Sequence, residues 1–256
     1  RYPVFDGLNL SFETREGILK HCSRRNASLI EDEEQAHGIN ASQGGVAARF
    51  LTGGQPSLEA QLCNLADEIA YAAHDVDDGV RSGLLTLEQM RAVPLFCRHH
   101  DEALADHPHL ADAGQERRRL YESIRRMLSA QVYHVIDATR AALAQAGVQT
   151  LADVRAAPSL VCFAPDMRTE AAQLKQFLMR NLYRHPQVVH TTDAAKQVVA
   201  DLFACYVADP AQLPAEHQAA ARGSPLPRVV ADYIAGMTDR MATREHERIS
   251  GQRLFH

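Results

Sequence analysis

No run in this chain approaches the roughly 18 consecutive apolar residues of a membrane-spanning helix, and no basic-then-apolar leader opens it. A soluble, unexported, cytoplasmic protein with no membrane partner is the expectation. Cysteines are sparse: Cys22, Cys63, Cys97, Cys162 and Cys205 are odd in number, widely spread and without a C-x-x-C pair. That argues against a disulfide framework and a cysteine-built zinc site, and fits reduced structural thiols. No segment shows the two-residue alternation of a half-buried strand, and no repeat or low-complexity tract suggests a solenoid. A net charge of −5 and a pI near 6.2 offer no global attraction to a polyanion, so phosphate binding has to come from local clusters.

What is present suffices for a core: 256 residues, 46% of them hydrophobic. Periodicity makes the fold class all-α, taken as a single helical domain over residues 1–256. Ser11 is placed to cap a short helix ending near His21. From Ser23 to Pro56 there is no period, an acidic run at Glu31–Glu34 and five glycines, which reads as a mobile loop. Thr86 with Gln89 forms a capping box for a short helix stopping around Pro94. His99, His100, His107 and His109 follow in what reads as a turn-rich connection, as structural or incidental histidines rather than a metal site. Gln115 to Ala146 is the longest periodic segment, closed by Gly147. Its N-terminal half carries Arg117, Arg118, Arg119, Arg125 and Arg126, either a solvated face or a groove that grips phosphates. Further helices are expected at Met167–Tyr183, Asp193–Val207 and Pro227–Glu247.

Residues 57 to 83 organise the rest. Leu58, Leu62, Leu65, Ile69, Ala73, Val76 and Val80 recur at helical spacing as one apolar face, with Ser57 as N-cap and Gly83 as left-handed terminator. Asp67, Tyr71, His74, Asp75 and Asp78 project from the opposite side. Between Glu59 and Val80 stand six carboxylates and no Lys or Arg, where a merely solvated face mixes signs. Unpaired like charge points to an absent partner, and a cation is the simplest one.

The stretch ADEIAYAAHDVDDGVRSGLL, from Ala66 to Leu85, resembles the signature helix of the bacterial deoxynucleoside triphosphate triphosphohydrolases, the dGTPase-like proteins of the HD-domain superfamily. RYPVFDGLNLSFETREGILKH at the start and RVVADYIAGMTDRMA near the end resemble the same family, so the likeness covers most of the chain. The resemblance implies a multi-helix HD-domain-like phosphohydrolase architecture, with this chain lying after the family's His…His-Asp motif and lacking the N-terminal helices. The catalytic residues are then expected upstream of Arg1. It further implies a divalent metal (Mg, Mn or another transition metal) with Asp67 as the last ligand of a His…His-Asp…Asp set. Tyr71 would pack beside the deoxyribose, Asp75 would accept its 3′-hydroxyl, and Lys20 would reach a phosphate. The doublets His74-Asp75 and His100-Asp101 occupy neither family position; adjacent residues on a helix point about 100° apart and do not readily chelate one ion together. Asp239 and Arg240 are candidates for a site wall or a subunit contact, and the family's habit of assembly implies a homo-oligomer.

The leading expectation is metal-dependent hydrolysis of a dNTP to deoxynucleoside and inorganic triphosphate, with Arg117, Arg118, Arg125 and Arg126 as candidate phosphate contacts. Two alternatives stay open: a non-catalytic helical module binding nucleotide or single-stranded nucleic acid through the arginines, and an HD phosphohydrolase acting on another nucleotide.

Overall fold

Local signals start and stop the helices of the computed structural model, which describes residues 8–21, 29, 32 and 54–254. The loop expected over 23–56 lies, apart from a few positions, outside those residues. Ser11 Oγ accepts from Thr14 N–H at 3.3 Å at the head of α1 (Phe12–His21). Ser57 caps α2 (Leu58–Arg81), and Gly83 follows at φ +76°, a conformation an L side chain resists. Thr86 and Gln89 exchange both bonds of the capping box, at 3.1 and 2.8 Å, to open α3 (Leu87–Met90). Gly147, at φ +62°, ends α5 (Glu116–Ala146).

Two readings of the sequence need correction. The His-rich connection is helical: α4 (Pro94–Asp106) takes Pro94 into its first turn, where a missing N–H costs nothing, so this proline starts a helix rather than breaking one. His99 and His100 are buried on it, and His107 and His109 fall beyond its end, His109 within a short 3-10 helix (Pro108–Ala111). The last expected helix is two, α10 (Leu226–Ala235) and α11 (Asp239–Ser250), because Gly236 closes the first and the Thr238 hydroxyl caps the second by accepting from Met241 N–H. Sequence reading also passed over α6 (Leu151–Ala156), opened by a Thr150/Asp153 capping box, and α9 (Ala215–Ala220). The Met167–Tyr183 and Asp193–Val207 segments appear as α7 (Pro165–Leu178), continued by a π-helical turn, and α8 (Pro186–Ala208). Among the described residues there is no strand, the fold is all-α, and no helix is long and apolar enough to cross a membrane.

The chain groups into two compact units, residues 1–179 and 180–256. In the first, α4 lies along α5, and α2 packs on α1, α5 and α7. Its buried residues include Ile69, Ala73 and Val76 from α2, Leu95 and Phe96 from α4, Met127 from α5 and Leu174 from α7. In the second, α8 packs against α10 and α11 around Val198, Leu202, Tyr206, Leu213 and Val230. The fully buried Tyr206 keeps its polar end satisfied by donating to Glu245 at 2.7 Å.

Candidate functional site

The apolar ladder expected along α2 holds only in its C-terminal half. Ile69, Ala73 and Val76 are buried, but Leu62 is 51% exposed and Leu58 and Leu65 are only partly covered. Near the N-terminus the buried residue is Gln61. Its Oε1 lies 2.9 and 3.2 Å from the amides of Leu160 and Val161, and its Nε2 donates to Pro56 O at 3.0 Å. A side-chain amide thus satisfies irregular backbone that no helix would satisfy.

On the outward side, Asp67, Tyr71 and Asp75 follow one another at the four-residue spacing that aligns a helical row. Asp67 is exposed, Tyr71 is 59% exposed and Asp75 is half-buried. The row runs back through Cys63 to Glu59, and there it forms one wall of a cleft of about 960 Å³ whose other wall is Gly17, His21 and Glu13 of α1. His21 Nδ1 meets Asn64 Oδ1 at 2.8 Å across it.

The acidic run is less bare than its sequence suggested, because its cations arrive from just beyond it and from another helix. Glu68 pairs with Lys175 of α7 at 3.0 Å, and Arg81 lies 3.4 Å from Asp77 and 3.9 Å from Asp78. Glu59 is held below the ordinary carboxyl value by its own backbone N–H and by the Ser57 hydroxyl at the helix start. Asp67, by contrast, has neither a hydrogen bond nor an ion pair among the described residues. Those residues hold no group of three or more His, Cys, Asp or Glu placed to bind a metal ion. Asp67 alone does not make a cation site, and the donor set on this stretch falls short of one.

Several of the remaining candidates are occupied with structural tasks. The Lys20 side chain is only 7% exposed, and its ammonium donates to Gly54 O and lies 3.3 Å from Glu16. Glu16, 3% exposed, is also bound by Arg155 at 2.9 Å. Burial pushes the Glu16 carboxyl up, but the bonds from Arg155 and Lys20 outweigh it and hold it below its ordinary value. Arg125 grips Glu122 with two bonds, at 2.8 and 2.6 Å, and Arg126 spans Glu122 and Asp106, each at 2.7 Å. Arg125 first, and then Arg126, drives the Glu122 carboxyl down to about 2. Arg117 donates to the Tyr121 hydroxyl at 3.2 Å and stands over that ring, and Arg118 reaches Gln115 at 3.4 Å. The five-arginine run therefore spends much of its charge on acids three and four residues away and on α4. His99 Nδ1 lies 2.7 Å from Glu102 and His100 Nδ1 3.3 Å from Asp101, so the second doublet is also part of helix packing.

Residues 161–248 match the phosphohydrolase-associated domain family. Over 249 residues, 97% of the chain, it is 52% identical to a deoxyguanosinetriphosphate triphosphohydrolase-like protein of Ralstonia nicotianae, covering 60% of that protein. So-named proteins of Azoarcus sp. and Thiobacillus denitrificans are 50% and 49% identical over 97% of the chain, which covers 61% of each. The chain belongs to the deoxyguanosinetriphosphate triphosphohydrolase-like family. It spans about 60% of the length of the curated relatives it matches.

In this triphosphohydrolase-like chain, the residues that sequence reading missed are those that hold the site's frame: Gln61, Glu16 and Arg155. Glu16 carried a signal, standing four residues before Lys20, but its other partner is 139 positions away. The contact of α1 with α2 depends on Gly17, where an added Cβ would come 3.0 Å from the Ala60 Cβ on the facing helix. Helix backbones carry both atoms, so relief requires a shift of the helices. Gly17→Val is expected to cost about 1–3 kcal/mol of stability through overpacking, read as a lowered midpoint in a urea melt. An unchanged midpoint would mean that the two helices are not closely seated.

Proposed function

We propose that this chain is part of an enzyme that hydrolyses a deoxynucleoside triphosphate to deoxynucleoside and inorganic triphosphate, with Asp67, Tyr71 and Asp75 as its contribution to the site. One observation carries the reading: three side chains of the right chemistry stand on one outward row of a capped helix, and the first is a carboxylate left without a partner among the described residues. The names of the relatives, and the match to a phosphohydrolase-associated domain, point the same way.

In this reading Asp67 is one ligand of a divalent centre, Mg, Mn or another transition metal, whose remaining ligands come from residues outside those described. Tyr71, one turn on, sets its ring against the deoxyribose; Asp75, a further turn on, accepts from the 3′-hydroxyl. A phenol ring against C2′ leaves no room for a second hydroxyl, so ribose is rejected sterically. Arg117 and Arg118, exposed and without an ion pair among the described residues, are the arginines available to phosphate; Lys20 braces α1 instead.

The test is direct. Full-length protein supplied with Mn²⁺ or Mg²⁺ is expected to release triphosphate from at least one dNTP, and failure with every dNTP removes the assignment. Tyr71→Ala is expected to lower the preference for dNTP over the matching rNTP by about tenfold or more, since a pocket that loses a bulky wall loses that order of discrimination. Equal preference in mutant and wild type would take Tyr71 away from the sugar.

A further inference from the structure

The residue that aims this row is not on it. The N-terminal half of α2 lacks the buried apolar residues that orient its C-terminal half, since Leu62 is 51% exposed while Gln61 is 5% exposed. Gln61 is fastened at both ends of its amide. Nε2 donates to Pro56 O at 3.0 Å; Oε1 accepts from Leu160 N–H at 2.9 Å and from Val161 N–H at 3.2 Å, with Ser159 Oγ also 3.2 Å away. The Ser159 proton has a second acceptor in Val161 O at 3.3 Å, so the two backbone donors are the firm ones. Leu160 and Val161 are themselves buried and belong to irregular chain, leaving their amides without a helical partner.

We infer that Gln61 is a positioning residue for the proposed reaction: its amide sets the rotation and axial register of α2 against residues 159–161 and thereby the direction of Asp67. Asp67 sits six residues further on, about 9 Å along the axis at the helical rise, between Gln61 and the first buried apolar anchor, Ile69. An apolar side chain at Gln61 would fix neither, because dispersion contacts do not select one register as paired donors and acceptors do. The inference rests on the triphosphohydrolase reading of the Asp67 row.

Two variants of the full-length protein test it. Gln61→Leu leaves two buried amides unpaired, and hydrogen exchange at Leu160 and Val161 is expected to quicken by about tenfold or more. Its kcat for the dNTP is expected to fall about tenfold or more with KM within about twofold, the mark of misplaced chemistry rather than lost binding. Gln61→Glu gives up the bond to Pro56 O but keeps an acceptor toward both amides, the pair that fixes the register, and is expected to restore exchange and kcat to within about threefold of wild type. It also decides the matter if Gln61→Leu does not fold. Unchanged exchange in Gln61→Leu, or quickened exchange with wild-type kcat, overturns the inference, as does a loss that Gln61→Glu fails to rescue. An inert wild type is a different result: it removes the reaction itself, and the positioning role with it.

Discussion

Asp67→Asn is expected to lower dNTP hydrolysis by about a hundredfold or more while leaving the fold intact. Losing a group that only orients a metal ligand typically costs about 10–100-fold, so losing the ligand's own charge should cost at least that much. The side chain is exposed and makes no bond among the described residues, so no packing or pairing is removed with its charge. The melting midpoint should therefore stay within error of wild type, as for other surface changes. Paired assays of triphosphate release and thermal unfolding separate the two effects. A variant that turns over within about threefold of wild type would place the cation elsewhere. Glu68→Gln, one position on, is the matched control: its carboxylate is occupied by Lys175 at 3.0 Å, and the proposal gives it no part in turnover.

Glu16→Gln is expected to cost about 3–5 kcal/mol of stability, the usual penalty for stripping the counter-charge from a buried pair. Glu16 is 3% exposed and stands between Lys20, at 3.3 Å, and Arg155, at 2.9 Å. Without its charge, two cations face each other across a largely buried, neutral amide. The pH dependence has a definite sign. Because the folded carboxyl lies below its ordinary value of 4.5, its contribution is fully present above pH 4.5 and is lost as pH falls through the lower folded value. The stability gap between wild type and Glu16→Gln should then be constant near neutrality and narrow on acidification below 4.5. Asp137→Asn, which breaks an open pair with Arg140 at 3.7 Å, should leave the midpoint unchanged. A Glu16→Gln protein as stable as wild type would show that the Lys20–Glu16–Arg155 triad does not brace this end of the fold.

Much of the candidate site was legible before any coordinates, because its key relation is local. Asp67, Tyr71 and Asp75 share a row on any helix that spans them, whatever surrounds it. The assigned tasks of Lys20, Arg125 and Arg126 were not legible: each has an acid at helical spacing on its own helix, and Lys20 and Arg126 also have a partner on another element. Lys20 has Glu16 and Gly54 O; Arg126 has Glu122 and Asp106. A pattern of positive charge does not say whether the charge is free. The His-rich stretch misled for a related reason: Pro94 was read as a stop, whereas position one of a helix is where proline fits without loss.

The sequence by itself determined where several of the helices begin and end and which side chains share a face. Ser11, Ser57, Thr86 with Gln89, Gly83 and Gly147 act within one turn of themselves, and so does the spacing of the Asp67 row. Only the tertiary structure decided which of those faces is buried and which charges are spent. Gln61 rather than Leu62 turns inward because two amides 99 and 100 residues away need its oxygen, and Glu16 is fixed by an arginine 139 residues away. Such partners meet only where the folded chain crosses itself, and hydrogen bonds and ion pairs closed by that crossing leave no periodic trace in the sequence.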